Sequence, residues 1–292
     1  MVVTTIPTVP NPRLAAVPDE SAIPEHADVD VVASANAAEG FGLSDDQLRQ
    51  LAAYRDLVLD WNQRFNLTAV KDPAEVDRRL VLDALRLLPA LDRAIAGIAQ
   101  PRLVDVGSGA GFPGLVLRIA RPDLGVTLLD ATGKKVRFLD HAATELGLDH
   151  VAAVHGRAEE LARDWSHRGQ YDVATARAVA ALPTLLEYVV PFLRVGGLAL
   201  LPKGLDIDAE LASGQEAARL LHARTVSADV LAGGTTRLVV VEKTRPTADA
   251  FPRRAGLPSQ EPLGSKPLSR ARPSTSSRGP RGAAGRGTGA SR

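Results

Sequence analysis

Leu103-Val104-Asp105-Val106-Gly107-Ser108-Gly109-Ala110-Gly111-Phe112-Pro113-Gly114 is the stretch on which the fold turns. A hydrophobic run that reads as a strand enters three closely spaced glycines, and a helix is expected from Pro113. Without Cβ atoms, Gly107, Gly109 and Gly111 allow a tight turn and let a ligand approach the backbone. The opening amides of the helix then face that ligand. The spacing from Gly109 to Gly114 also satisfies the G-x-G-x-x-G pattern of dinucleotide sites, a weak signal alone. Two details favour a different nucleoside cofactor. Asp105 puts a carboxylate where a pyrophosphate would have to enter, and it suits the ammonium group of S-adenosylmethionine. Pro113 also removes one of the helix amides that a pyrophosphate would use.

Working outward, short apolar runs alternate with amphipathic stretches. Strands are expected at 103–106, 126–129, 151–155, 173–176 and 198–201, with helices beginning near Pro113, Lys134, Ala158, Leu182 and Asp206. Such alternation predicts a mostly parallel sheet with helices on both faces. A final strand pair is expected at 219–227 and 236–244, joined through Gly233-Gly234. Asp130 ends the second strand about twenty residues after the glycines, where an acid hydrogen-bonds ribose hydroxyls. Arg177 falls at the carboxyl end of the fourth strand, the edge at which open α/β sheets bind ligands. Glu159, after the third strand, stands where an acid or a backbone amide can meet an adenine ring.

Before the sheet, Ser44-Asp45-Asp46-Gln47 has the pattern of a capping box. Leu48, Leu51, Tyr54, Val58 and Trp61 then recur at helical spacing. A second helix is expected from Asp72-Pro73 to about Leu88, stopped by Pro89. The chain divides into a disordered acidic extension (1–40), a helical subdomain (41–100), a Rossmann-like domain (101–245) and a basic low-complexity tail (246–292). The overall charge of +1 conceals this opposition of acidic head and basic tail. There is no cysteine, so thiolate metal sites, disulfides and cysteine nucleophiles are excluded, and no metal site is expected. No run reaches the ~18 apolar residues of a membrane span. The N-terminus lacks a signal-peptide pattern, so a cytoplasmic protein, a monomer, is expected.

Several separated motifs, taken together, carry a family resemblance. They are Trp61-Asn62 with Phe65-Asn66-Leu67-Thr68, the stretch from Asp105 to Gly114, Leu128-Leu129-Asp130, Gly133-Lys134-Lys135-Val136-Arg137-Phe138-Leu139, Arg177-Ala178 and Lys203-Gly204. In their order and spacing, from about Leu48 to Lys243, the chain closely resembles the ribosomal small-subunit methyltransferase G family (glucose-inhibited division protein B). The resemblance implies a Rossmann-like class I S-adenosylmethionine-dependent methyltransferase, with cofactor contacts at Gly107, Phe112, Ala158, Glu159 and Arg177. It also implies a reaction at N7 of a 16S rRNA guanine, with 16S rRNA or the small ribosomal subunit as partner. One departure stands out: the family usually has an Arg-His pair in the second helix, and this chain reads Arg79-Leu80, with the following Asp83 retained.

Guanine N7 carries a lone pair and no proton, so the reaction needs placement and no general base; no catalytic side chain is expected. Absence of cysteine argues against pyrimidine C5 chemistry, which begins with thiolate attack. RNA contact is expected first from phosphate pairing, by Lys134, Lys135, Arg137 and Lys203. Arg64, Phe65 and Asn66 offer a second set, an aromatic beside a cation suiting an unstacked nucleotide. Two other readings use the same residues: an NAD-dependent oxidoreductase on the same sheet, and an RNA-binding protein without catalysis.

Overall fold

The computed structural model describes residues 29–264. Helix α2 (Asp45–Phe65) begins at the expected box: Ser44 Oγ accepts from the Gln47 amide, and Gln47 Oε1 accepts from the Ser44 amide. The Gln47 side chain does a second job, donating to the carbonyls of Ile119 and Ala120 at 2.8 and 3.1 Å. Those carbonyls belong to the last turn of α6 (Gly114–Ala120). The cap therefore docks α2 against the helix that leaves the glycine loop.

After α2, Asp72 caps α3 (Pro73–Val76), which passes through a π-helical turn, Asp77–Val81, into α4 (Leu82–Leu85). Arg55 of α2 holds that turn through a buried ion pair to Asp77 at 2.9 Å. Pro89 does not end a helix, as the sequence reading expected; it lies in the first turn of α5 (Leu88–Ile95). A proline there forfeits no intrahelical hydrogen bond, because first-turn amides have no partner within the helix.

Five strands run parallel: β1 (Arg102–Val106), β2 (Gly125–Asp130), β3 (Val151–His155), β4 (Tyr171–Thr175) and β5 (Leu193–Lys203). β6 (Ala223–Val230) and β7 (Arg237–Lys243) form the expected final pair, with β7 antiparallel to both β5 and β6. The order is β3-β2-β1-β4-β5-β7-β6, so the parallel strands β1 and β4 lie side by side near the centre and the order in which strands are added reverses there. One face is covered by α2, α5, α6 and α7 (Gly133–Glu145), the other by α8 (Ala158–Leu161), α9 (Leu182–Val189) and α10 (Asp208–Leu220). The mostly parallel sheet with helices on both faces is the Rossmann-like class I methyltransferase architecture. The last strand pair begins later than expected because residues 219 and 220 finish α10.

Two expected disordered segments contain structure. Residues 29–39 form α1 (Val29–Glu39), and Asn36 clamps the turn after it through both its amide atoms to the backbone of Leu43. Val32, Phe41 and Leu43 are buried there. At the other end, residues 246–264 wrap over α8 and α9 and include α11 (Leu257–Gln260). Arg253 pairs with Glu187, which is fully buried, at 2.7 Å, and Arg168 donates to the carbonyls of Thr247, Ala248 and Phe251. Polar clamps, without hydrophobic periodicity, hold this strap, and a reading based on periodicity passes over it. The remainder of both proposed tails, 1–28 and 265–292, lies outside the described residues.

Candidate functional site

The carboxyl ends of β1, β2 and β4 converge on the glycine loop. Gly107 and Gly109 have φ of +72° and +61°, which side-chain-bearing residues rarely adopt. Their amides are committed: Gly107 and Ser108 donate to the Leu129 carbonyl, and Gly109 donates to Asp130 Oδ2 at 3.0 Å. Asp130 Oδ1 accepts from the Thr132 amide at 2.8 Å. One carboxylate thus fixes the loops after β1 and after β2 together. Lys135, on the first turn of α7, places its ammonium 3.8 Å from Asp130.

Asp105 does not line this cleft. It is completely buried, and its Oδ2 accepts from the Gly114 amide at 3.0 Å, anchoring the start of α6. Its Oδ1 has no hydrogen-bond partner among the described residues. Burial pushes its pKa up to about 7; the Gly114 hydrogen bond pulls the other way, and nearby Asp130 adds to the rise. Asp105, expected to pair with a cofactor ammonium, thus lies beneath the loop and is engaged through Oδ2 with the Gly114 amide. Gly111 also turns away from the ligand side: a Cβ there would lie 2.6 Å from Tyr54 Oη and 2.8 Å from Leu115. Tyr54 donates its hydroxyl to the Ala110 carbonyl and packs its ring 5.0 Å from Phe112. It is a site-shaping residue that the sequence shows only as one member of an apolar stripe.

Above the loop lies a cleft of about 370 Å³, walled by Gly107, Gly109, Phe112, Asp130, Lys135 and Arg177, with Leu67 and Thr68 opposite. Asn62 holds that opposite wall, its Oδ1 accepting from the Thr68 amide at 3.0 Å; this explains the Trp61-Asn62 signature. Leu80, which stands where the resembled family usually has histidine, lines the same cleft. A second, larger cleft of about 800 Å³ adjoins it and shares Arg177 and Ala178. Its walls carry Arg78, Arg79, Asp83, Arg86 and Lys203. Arg177 reaches from the sheet to the N-terminal helices, donating to the Arg79 carbonyl at 2.7 Å and to Asp83 Oδ2 at 3.0 Å. Burial lowers its pKa against the opposing pull of Asp83.

The structure gathers Gly107, Gly109, Phe112, Asp130, Lys135 and Arg177 in one cleft and Lys203 in the next, where its ammonium meets the Ala180 carbonyl and Glu210. Ala158 and Glu159 stand apart from both. Glu159 is buried under the strap, its Oε1 accepting from the Gly256 amide at 2.8 Å, so the carboxylate is taken. Lys134 and Arg137 are exposed on α7. Arg64 is exposed and paired with Asp60, and Asn66, at φ +46°, lines a separate hollow with Gln63 and Lys71. Phe65 packs on Trp61, which in turn meets Phe138 and His141, so the aromatic pair is part of the α2–α7 contact.

The family model for "rRNA small subunit methyltransferase G" (GidB) matches residues 47–239. The curated "Ribosomal RNA small subunit methyltransferase G" of Chloroflexus aggregans is 44% identical over 229 residues, 77% of this chain and 94% of the relative. That of Roseiflexus sp. is 43% identical over 238 residues, 80% of this chain and 100% of the relative. That of Alkaliphilus metalliredigens is 40% identical over 228 residues, 77% of this chain and 94% of the relative. Among solved structures, a putative sarcosine dimethylglycine methyltransferase from Galdieria sulphuraria aligns with a TM-score of 0.47 at 10% identity, covering 65% of this chain and 98% of that one.

Proposed function

The chain belongs to the rRNA small subunit methyltransferase G family, and from that premise we propose that its two adjoining clefts divide one methyl transfer between them. The enzyme transfers the methyl group of S-adenosylmethionine to N7 of a guanine in 16S rRNA. The NAD-dependent oxidoreductase alternative falls with this assignment. In our reading the smaller cleft holds the cofactor and the larger one the base, with Arg177 and Ala178 at the junction. That shared wall is the observation that carries the proposal.

The smaller cleft suits the cofactor. Its volume falls within the ~300–1,000 Å³ of small-molecule sites. Gly107 and Gly109 present bare backbone, and Asp130 offers carboxylate oxygen at a sheet edge suited to ribose hydroxyls. Ala158, the first residue of α8, stands outside this cleft at the next strand edge, where its backbone amide would meet an adenine that extends past Asp130. S-adenosylmethionine, when bound, supplies a methyl group on a sulfonium, whose leaving electrons stay on sulfur.

The chain's own contribution is placement. N7 donates its lone pair directly, so no side chain has to move a proton. Phe112 and the Leu67–Thr68 wall narrow the cleft and exclude water, and Arg177 bridges the two ligand spaces. Arg78, Arg79 and Lys203, with Lys134 and Arg137 on α7, would engage rRNA phosphates. Arg64 and Asn66 would extend that contact along the end of α2. The helices of 41–100 form the cleft's lid side and the sheet of 101–245 its floor. No helix among the described residues is long and apolar enough to cross a membrane. We read the enzyme as a cytoplasmic monomer.

Calorimetry tests the division of the clefts. S-adenosylmethionine should bind one site per chain and NAD should not bind, and Gly107→Val should weaken the former at least tenfold while leaving the circular dichroism unchanged. A Gly107→Val variant that binds like wild type would move the cofactor elsewhere.

A further inference from the structure

The larger cleft presents a donor and an acceptor side by side. Arg177 Nη2 and Asp83 Oδ2 are 3.0 Å apart, with side chains 26% and 13% exposed, and both face the cleft. Asp83 is held on that wall by Arg86 Nη1 and Thr236 Oγ1, each 3.5 Å away. Arg177 is held by its bond to the Arg79 carbonyl. The pair is fixed from both sides and partly open to a ligand between the clefts.

Guanine carries O6, an acceptor, next to N1–H and the N2 amine, both donors. Adenine carries the reverse order, an amine donor next to the N1 acceptor. We propose that Arg177 and Asp83 read the target base, Arg177 donating to O6 and Asp83 accepting from N1–H and the N2 amine. This rests on the reading of the larger cleft as the base site. The direction of the pair fits the reaction. O6 and N7 lie on the same side of the purine, so a base held through O6 by Arg177 keeps N7 toward the cleft that Arg177 also lines. Its N1 and N2 edge then points away, toward Asp83. Adenine placed in the same way would set its amine against the Arg177 donors and its N1 lone pair against the Asp83 carboxylate, leaving those groups of the base unpaired. Arg78 and Arg79, exposed on the turn Asp77–Val81, stand on the rim of the same cleft, where the phosphates flanking an extruded base would pass.

The alternative is that Asp83 only positions Arg177, and inosine separates the two. Inosine keeps O6, N7 and N1–H but lacks the N2 amine. Small subunits are reconstituted on ligated 16S rRNA bearing guanine or inosine at the target, and kcat/KM is measured for wild type, Asp83→Ala and Asp83→Asn. Wild type should prefer guanine about tenfold or more, the effect of one lost hydrogen bond in a site built for it. The alanine variant should be slower on both and show a ratio near one, with cofactor affinity unchanged by calorimetry. If it is too slow to rate, the same ratio is read from the affinity for the two subunits by filter binding. A wild type indifferent to inosine, or variants that keep the wild-type ratio, would overturn the assignment of Asp83 and leave the family function intact. A wild type that labels neither substrate would sink the base-site reading and this inference together.

Discussion

Asp105 is buried beneath the glycine loop, and its carboxyl is held up at about 7 mainly by burial. Asp130 from β2 disfavours a second charge beside it, while the Gly114 amide and Ser108 pull the other way; the buried Tyr54 hydroxyl, from α2, is itself kept protonated by burial and by Asp105. Because the folded pKa lies above the ordinary value of 3.8, the folded state binds this proton more tightly than the unfolded chain does. The stability it contributes is complete below about pH 4 and is lost as pH rises through about 7. Asp105→Asn removes that dependence. The stability of the variant relative to wild type should therefore improve between pH 5 and pH 8, by on the order of 2 kcal/mol, in urea melts followed at each pH. A difference that stays flat across that range would contradict the buried, protonating carboxyl. In the sequence, Asp105 is legible as a strand-end acid beside a ligand loop, but depth is not. A strand covered on both faces hides alternate residues equally, and only the packing of α6 decides that this carboxylate anchors the Gly114 amide.

At the scale of elements, local chemistry was readable wherever it was periodic or capped. The Ser44–Gln47 box, the apolar stripe through Tyr54 and Val58, and each parallel strand appear close to where the sequence puts them. The misses share a cause. Helix α1 is rich in alanine and presents few large apolar residues, while the strap at 246–264 is joined to the molecule by arginines and carbonyls. Neither yields a hydrophobic period. The strap also accounts for the misplacement of Glu159, an acid at the right sheet edge but already engaged by the Gly256 amide. Its strongest tie is Arg253 to the fully buried Glu187. Arg253→Ala leaves that buried carboxylate the backbone amide of residue 253 but no counter-charge, and should cost about 3–5 kcal/mol in denaturant midpoint analysis. A loss below about 1 kcal/mol would show the strap to be loosely attached.

For the molecule as a whole, the lining of the smaller cleft was largely legible in the sequence and the assembly of the larger one was not. Gly107, Gly109, Phe112, Asp130 and Arg177 come from one sheet edge, and a glycine loop with strand-end acids announces such an edge in any sequence. The second cleft is assembled from α3, the π-helical turn, α4, the end of β5 and the β6–β7 connection. Residues as distant as Arg79, Arg177 and Thr236 meet there, a juxtaposition that follows from strand order and from the docking of the N-terminal helices. Arg177 is the link between the halves, touching Asp83 and the Arg79 carbonyl while lining both clefts. The account stands on that link. Its most direct test is methyl transfer from labelled S-adenosylmethionine into small ribosomal subunits lacking the modification, mapped by mass spectrometry, for wild type and Arg177→Ala. The account predicts label at N7 of a single 16S guanine, reduced about 100-fold or more in the variant. Undiminished transfer by Arg177→Ala, or bound cofactor with no label in 16S rRNA, would contradict it.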